Sequence, residues 1–351
     1  MTISHFDADH ISGFEKLLSR YAVDTLLLPY LPLATRLILA FEQGIDADDA
    51  RLRLFIDPVG YITSLDGGEN IRRIIMVPPG NGETVPPPPD GPDEDPEAPE
   101  PSFELNFDKD DFDDEMLGDP AMTSPFDSGP VVLMLAPGGR LYIDGFWEFV
   151  PYNDIAAQPS NFSEFQEDVE SQKAILFDAA ALWRTGSGTA TALKDAIKGL
   201  KKVYDHHLGK GAKARNIISL FLYSGPNFDP AKRYYVANFR PADSLDKPRM
   251  AQLFTGDGYL DNSARLDAMT NHFGRTRLDR IGIFQVMHHG ASKNWHAGVA
   301  DRIKPDVSVF CSEPLRTNPG HPHADVLRDF WPYGAVRVDC DHGWSVEFYR
   351  P

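Results

Sequence analysis

The sequence predicts an α+β domain of layered sheets and helices, and three observations carry that reading. Apolar runs of strand length recur along the chain. Stretches with helical spacing alternate with them. One long, proline-rich acidic stretch interrupts the pattern once.

The elements follow in order. Thr2 to Ser4 reads as the end of a strand, Ile11 to Tyr21 as a helix, Thr25 to Leu28 as a strand and Pro32 to Glu42 as a helix. Ile71 to Val77 is a strand that enters the interruption. Val131 to Val150, V-V-L-M-L-A-P-G-G-R-L-Y-I-D-G-F-W-E-F-V, reads as a hairpin, because Pro137-Gly138-Gly139 separates two apolar runs. Helices follow at Phe162 to Trp183 and Ala190 to Leu208, joined by G-S-G-T. Strands recur at Ile217 to Tyr223, Tyr234 to Ala237 and Gln252 to Phe254, with a helix near Leu260 to Phe273. The close is four strands, Ile281 to Val286, Val307 to Cys311, Val336 to Asp339 and Ser345 to Tyr349, with helices near Gly298 and Ala324.

The 351 residues carry a formal charge of −18 and are 42% hydrophobic, which excludes wholesale disorder. Asp90 to Asp119 holds fourteen acidic residues against Lys109 alone, so this stretch accounts for −13 and the rest of the chain for only −5. The acidity is therefore no argument against a nucleic-acid partner, whose phosphates are met by local Lys and Arg. The organisation reads as 1–77, first part of the fold; 78–129, a disordered Pro-rich acidic insert; and 130–351, the remainder. Within the insert Phe103, Leu105, Phe107, Phe112, Met116 and Leu117 are interleaved with acids, a pattern suited to docking on a basic, partly apolar surface.

Cys311 and Cys340 lack metal-type spacing and read as buried thiols in a reducing compartment. The first ten residues have no signal-peptide pattern, and Leu26 to Phe41 is broken by Pro29, Pro32 and Arg36. A soluble, cytoplasmic chain with no membrane partner is expected.

Chemistry concentrates first in T-I-S-H-F-D-A-D-H-I-S-G, where His5, Asp7, Asp9 and His10 fall within six positions at a strand-to-helix passage. Imidazole and carboxylate ligands that converge there suit Zn²⁺ or Mn²⁺. Asp257 follows an apolar strand, His288 and His289 end another and precede Gly290, and His321 lies between Gly320 and Pro322. Taken alone, Asp257 reads equally as a turn residue and His321 as a helix cap.

Together these motifs resemble the metallo-β-lactamase superfamily, and most closely the soluble metallo-hydrolase domain of DNA-internalisation competence proteins. The first segment is similar to the family's H-x-H-x-D-H, with Asp for the second His. Leu253 to Asp257 is similar to its strand and T-G-D, Val286 to Ser292 to its H-H-G-S, and Asn318 to Pro322 to its late G-H-P. Arg215 to Leu222 is also similar to its N-x-x-S-L strand. The resemblance implies a four-layer αβ/βα fold with two facing mixed sheets flanked by helices. It implies one or two metal ions, with His5 and Asp7 on one, Asp9 and His10 on the other, Asp257 bridging and His288 as the last ligand. Asp9, His289 and His321 would then serve catalysis, with His289 and His321 at a scissile phosphate and Ser292 at the substrate. It also implies strands ahead of the first motif. Those N-terminal strands are therefore expected to be missing through a truncated start, or the first sheet to be completed by a second polypeptide or by the Val131 to Val150 hairpin.

Lys194, Lys198, Lys201, Lys202, Lys210, Lys213 and Arg215 form a basic cluster, with Lys198, Lys201 and Lys202 as candidate contacts to a nucleic-acid backbone; the plainer reading is a solvated helix face. The expected activity is that of a metal-dependent nuclease or phosphodiesterase. Its acidic insert would hold it in check until a regulatory protease or a partner removes the block. Two other classes stay open: a metallo-hydrolase of a lactone, thioester or cyclic nucleotide, and a degenerate interaction subunit.

Overall fold

The computed structural model describes residues 1–6, 11, 13–42, 45, 49, 51–80, 84–87, 119, 129–136, 138–143, 147–153, 164, 168, 172, 175–176, 178–183, 185–208, 219–227, 235–237, 249–313 and 320–349. Helices and sheets share the chain, which makes it an α+β protein. The chain divides into two compact units. The first holds Met1–Pro79, Phe107–Met134 and Ile155–Ile218, and the second holds Gly80–Asn106, Leu135–Asp154 and Ser219–Pro351.

The first unit is built on a parallel sheet in the order β1 (Thr25–Pro29), β2 (Arg73–Val77), β3 (Val131–Met134). Thr2 bridges Leu27 in parallel on the free side of β1, and the Ile3 N–H donates to the Leu27 carbonyl. Leu26, Leu28, Ile74 and Ile75 are fully buried, which is why these strands read as unbroken apolar runs. The flanking helices are α1 (Phe14–Leu18), α2 (Leu33–Glu42), α3 (Leu52–Ile56), α4 (Pro58–Thr63) and α5 (Ala190–Leu208). In α5, Leu193, Ala196, Ile197 and Leu200 repeat at three- and four-residue steps and all are buried, while Lys198 and Lys202 face solvent.

In the second unit a seven-stranded sheet runs in the order β11 (Ala335–Val338), β10 (Val307–Cys311), β9 (Ile281–Gln285), β8 (Ala251–Phe254), β6 (Leu220–Pro226), β5 (Trp147–Asn153), β4 (Leu141–Ile143). From β8 to β11 neighbouring strands are parallel; β8 with β6, β6 with β5 and β5 with β4 are antiparallel. A separate antiparallel pair joins β7 (Tyr235–Ala237) to β12 (Glu347–Tyr349). The helices are α6 (Ser263–Leu278), α7 (Val299–Ile303) and α8 (Ala324–Phe330). Helix α6 is capped by the Asn262 side chain, which accepts from the Arg265 N–H at 3.0 Å, and it buries Leu266, Met269 and Phe273.

Three expectations are corrected. Val131 to Val150 is not one hairpin: β3 pairs in parallel with β2 in the first unit, and the hairpin is β4 with β5. The Gly139 N–H donates to the Ala136 carbonyl at 2.8 Å, so the chain does turn after β3, but the turn does not pair β3 with β4. The first sheet thus gains its third strand from within the chain.

The second correction concerns the insert, 78–129, which is not uniformly without structure. Val85 is buried, its N–H donates to the His272 carbonyl at 3.0 Å, and Arg277 donates to the Pro86 carbonyl at 2.9 Å. Arg277 is itself buried and paired through two 2.9 Å bonds with Glu148 of β5. Asp119 is buried in the first unit, where it forms an ion pair with Arg36 of α2. Single residues with built partners escape an argument from average composition; the acidic run 90–118 lies outside the described residues. The third correction is that Cys340 is exposed, with Cys311 half-buried and both free. No helix among the described residues is long and apolar enough to cross a membrane.

Candidate metal centre

Parallel pairing of β8, β9 and β10 sets three strand C-termini side by side, the edge at which open α/β sheets place ligand sites. Each delivers one group. After β8 the chain runs through Thr255 and Gly256 to Asp257. After β9 it runs through Val286 and Met287 to His288 and His289. The last residue of β10, Cys311, offers its carbonyl.

The turns are locked to one another. The Thr255 hydroxyl donates to the Gln285 carbonyl at 2.7 Å, and the His288 N–H donates to the Gly256 carbonyl at 2.9 Å. Buried Asn294 donates from its amide nitrogen to the Asp257 carbonyl at 2.8 Å and to that of Gly258 at 3.3 Å. This bonding holds His288 (φ 44°) and His289 (φ 58°) in the left-handed region, which costs a non-glycine residue about 1–2 kcal/mol. Strain of this kind persists only where the surroundings enforce it, and it concentrates at functional sites.

The result is a carboxylate between two imidazoles. His288 Nε2 lies 3.6 Å from Asp257 Oδ2, and His289 Nε2 lies 4.0 Å from Oδ1. Both separations exceed hydrogen-bond reach, about 3.2 Å. The shorter is close to the edge of about 3.4 Å between two ligand atoms that share one tetrahedral zinc, and the longer is wider than that edge. His289 Nδ1 bonds the Cys311 carbonyl, which can only accept; the Nδ1 proton is therefore assigned, and the lone pair falls on the Nε2 that faces Asp257. Burial raises the Cys311 thiol above its usual range, against a weaker opposing effect of the Gln285 amide, so its backbone rather than its sulfur serves the site. The Asp257 carboxylate with the His288 imidazole 3.6 Å away is a donor pair of the kind that binds a divalent ion, and the His289 ring is fixed beside it by its bond to the Cys311 carbonyl.

His321 completes the cluster. Its ring centroid lies 5.7 Å from that of His288 and 6.3 Å from that of His289, the latter ring inclined by 24°. His323 follows, with its Nδ1 3.1 Å from that of His321. Gly290 lets these loops meet: its φ is +86°, a Cβ there would fall 2.6 Å from the Pro322 Cβ, and the His323 N–H donates to its carbonyl. Gly290→Ala is expected to cost about 1–3 kcal/mol from overpacking and backbone strain. Urea unfolding measures it, and a loss within error would show that the turn is not held as described.

Asp257, His288, His289, His321 and exposed Ser292 are thus brought together in the second unit. His5 is buried in the first unit with its Nδ1 2.9 Å from the Ser4 hydroxyl, while Asp7, Asp9 and His10 lie outside the described residues. Lys198, 3.6 Å from Asp195, and Lys202 are exposed on α5; the Lys201 side chain is outside the described set. Sequence reasoning missed Asn294, the Cys311 carbonyl and His323. Only His323 carried a signal, as the second His of H-P-H.

Elsewhere, Asp339, Cys340 and Asp341 lie close enough together to share an ion. The Asp339 carboxylate already accepts from the N–H groups of Asp341 and His342, which makes it a turn residue. Comparison with known proteins finds no match to this chain among family models, curated proteins or solved structures.

Proposed function

We propose that this chain is a metal-dependent phosphodiester hydrolase that acts on nucleic acid, built on a metallo-β-lactamase-like fold. The observation that supports the reading most is the Asp257 carboxylate set between His288 and His289 on adjoining parallel strand ends. Asp257 and His288 are the residues of the second unit that would hold a Zn²⁺ or Mn²⁺ ion, and His5, Asp7, Asp9 and His10 are the candidate ligands of the first unit. The bound ion supplies a water acidified to near-neutral pKa and positive charge for the phosphoryl oxygens.

The chain's own groups do the rest. Asp257 presents both carboxylate oxygens towards imidazole nitrogens, and the Cys311 carbonyl keeps the His289 ring from rotating. His289 and His321 face the scissile phosphate. Lys198 and Lys202, four residues apart and exposed on α5, favour a polyanionic substrate over a small neutral one. The acidic stretch 90–119 competes with that substrate as an internal polyanion, held at its end by the Asp119 pair with Arg36.

Metal content and a substrate panel test the proposal. Stoichiometric Zn or Mn after dialysis, with turnover of bis(p-nitrophenyl) phosphate and none of a lactone or thioester, is the expected result. A metal-loaded chain that hydrolyses only the lactone or thioester would move the assignment to a small-molecule hydrolase. A chain that binds no metal would leave an interaction subunit.

A further inference from the structure

We infer that His323 is a positioning residue that fixes His321 in the Nδ1–H form, so that His321 presents Nε2 as the nitrogen that takes up a proton during hydrolysis. The catalytic part of this inference rests on the hydrolase reading above; the protonation pattern stands on the geometry alone.

The two Nδ1 atoms lie 3.1 Å apart, so one carries the proton and the other accepts it. The distance does not say which. The Ser292 main-chain N–H decides, because it lies 3.3 Å from the same His323 Nδ1. A backbone amide donates in every state of the protein. His323 Nδ1 therefore accepts, its one lone pair shared between the two N–H groups in a three-centre bond, and the His323 proton sits on Nε2. The reverse assignment would set two N–H groups against each other. His321 must then be the donor at Nδ1, which leaves the lone pair of its neutral ring on Nε2.

Neither ring is placed by chance. The His323 N–H donates to the Gly290 carbonyl at 3.0 Å, and the Leu327 N–H donates to the His323 carbonyl at 3.0 Å, so His323 joins α8 to the turn that carries His288 and His289. Ser292 begins the 3₁₀ turn that follows. The acceptor for His321 is thus built into the same loop system that shapes the Asp257 site.

This arrangement is that of an oriented base. When Nε2 takes a proton from an attacking water, one O–H bond breaks, one N–H bond forms, and the Nδ1–H to His323 stays in place. The same nitrogen then returns that proton to the leaving oxygen as the P–O bond breaks, while the hydroxyl remains on phosphorus. Without His323, the ring is free to hold its neutral proton on Nε2, the form that cannot accept there.

Long-range ¹H–¹⁵N correlation spectra of the full chain, labelled at histidine and with His321 assigned through His321→Gln, report the form directly. The wild type is expected to show His321 as Nδ1–H. His323→Asn, whose amide oxygen can accept from the same two N–H groups, is expected to keep that form, and His323→Ala to lose it. In His323→Ala, kcat for phosphodiester cleavage should fall by about 10- to 100-fold at unchanged KM, with recovery in His323→Asn. An Nε2–H His321 in the wild type, or an Nδ1–H form that survives in His323→Ala, overturns the inference. Spectra as expected in a chain that cleaves no phosphodiester would instead overturn the hydrolase reading and leave the His323–His321 pairing intact.

Discussion

Asp257→Ala is expected to lower kcat/KM for phosphodiester cleavage by at least about 10³-fold, the equivalent of several kcal/mol of lost charge stabilisation. The size follows from position. Asp257 is the anionic group between His288 and His289, and its side chain is only 14% exposed. Its backbone is held by Asn294 and its turn by the His288 N–H, so the substitution removes the carboxylate while the loop remains tied. Asp257→Asn sharpens the test, because it keeps the shape and one acceptor oxygen but loses the charge. Both variants should lose activity together with metal content, measured by elemental analysis after dialysis, while their unfolding midpoints stay near the wild type in the absence of added metal. Full activity in either variant would remove Asp257 from the site.

The second large effect lies in the first unit. Asp119→Ala should destabilise the fold by about 3–5 kcal/mol, because it leaves the Arg36 guanidinium buried without its counter-charge. Arg36 is 1% exposed and makes two bonds to Asp119, at 2.6 and 2.9 Å, with further bonds to the carbonyls of Leu31, Phe55 and Ile56. The Tyr30 hydroxyl lies 3.4 Å from the same carboxylate. Replacing both charges, as in Arg36→Met with Asp119→Leu, should recover most of the loss, since apolar residues of like volume often match or exceed a buried pair. Denaturant unfolding reads both variants. A loss below about 1 kcal/mol for Asp119→Ala is too small for a buried charge left alone, and would mean that the carboxylate is not held inside.

The residues that cluster around Asp257 were more legible in the sequence than the groups that hold them. Asp257, His288 and His289 could be found because each follows an apolar strand and lies within two residues of a glycine, a local signature that survives without knowledge of the fold. Helix α5 was legible to the residue, since Leu193, Ala196, Ile197 and Leu200 write its buried face directly. Helices α3 and α4 were missed because Leu52, Leu54 and Ile56 alternate as a strand would, and only their shared burial in the core distinguishes them. The place of β3 was not readable either. Its neighbour β2 is more than fifty residues away in sequence, whereas the Pro-Gly-Gly signal beside it is local. Asp119 was hidden by its own neighbours: among fourteen acidic residues, nothing in composition marks the one that meets Arg36. Asn294 and the Cys311 carbonyl act through the backbone or an ordinary polar residue, and motif reasoning has no purchase on either.

Cleavage of nucleic acid by a metal-activated water at the Asp257 site, as proposed, is open to one direct assay. The purified full chain is incubated with plasmid and with single-stranded DNA in the presence of Mn²⁺ or Zn²⁺, beside Asp257→Ala and Asp9→Ala/His10→Ala. Metal-dependent cleavage by the wild type, lost in both variants and abolished by chelation, is the predicted result. No cleavage with either metal, or cleavage that persists in Asp257→Ala, would contradict it.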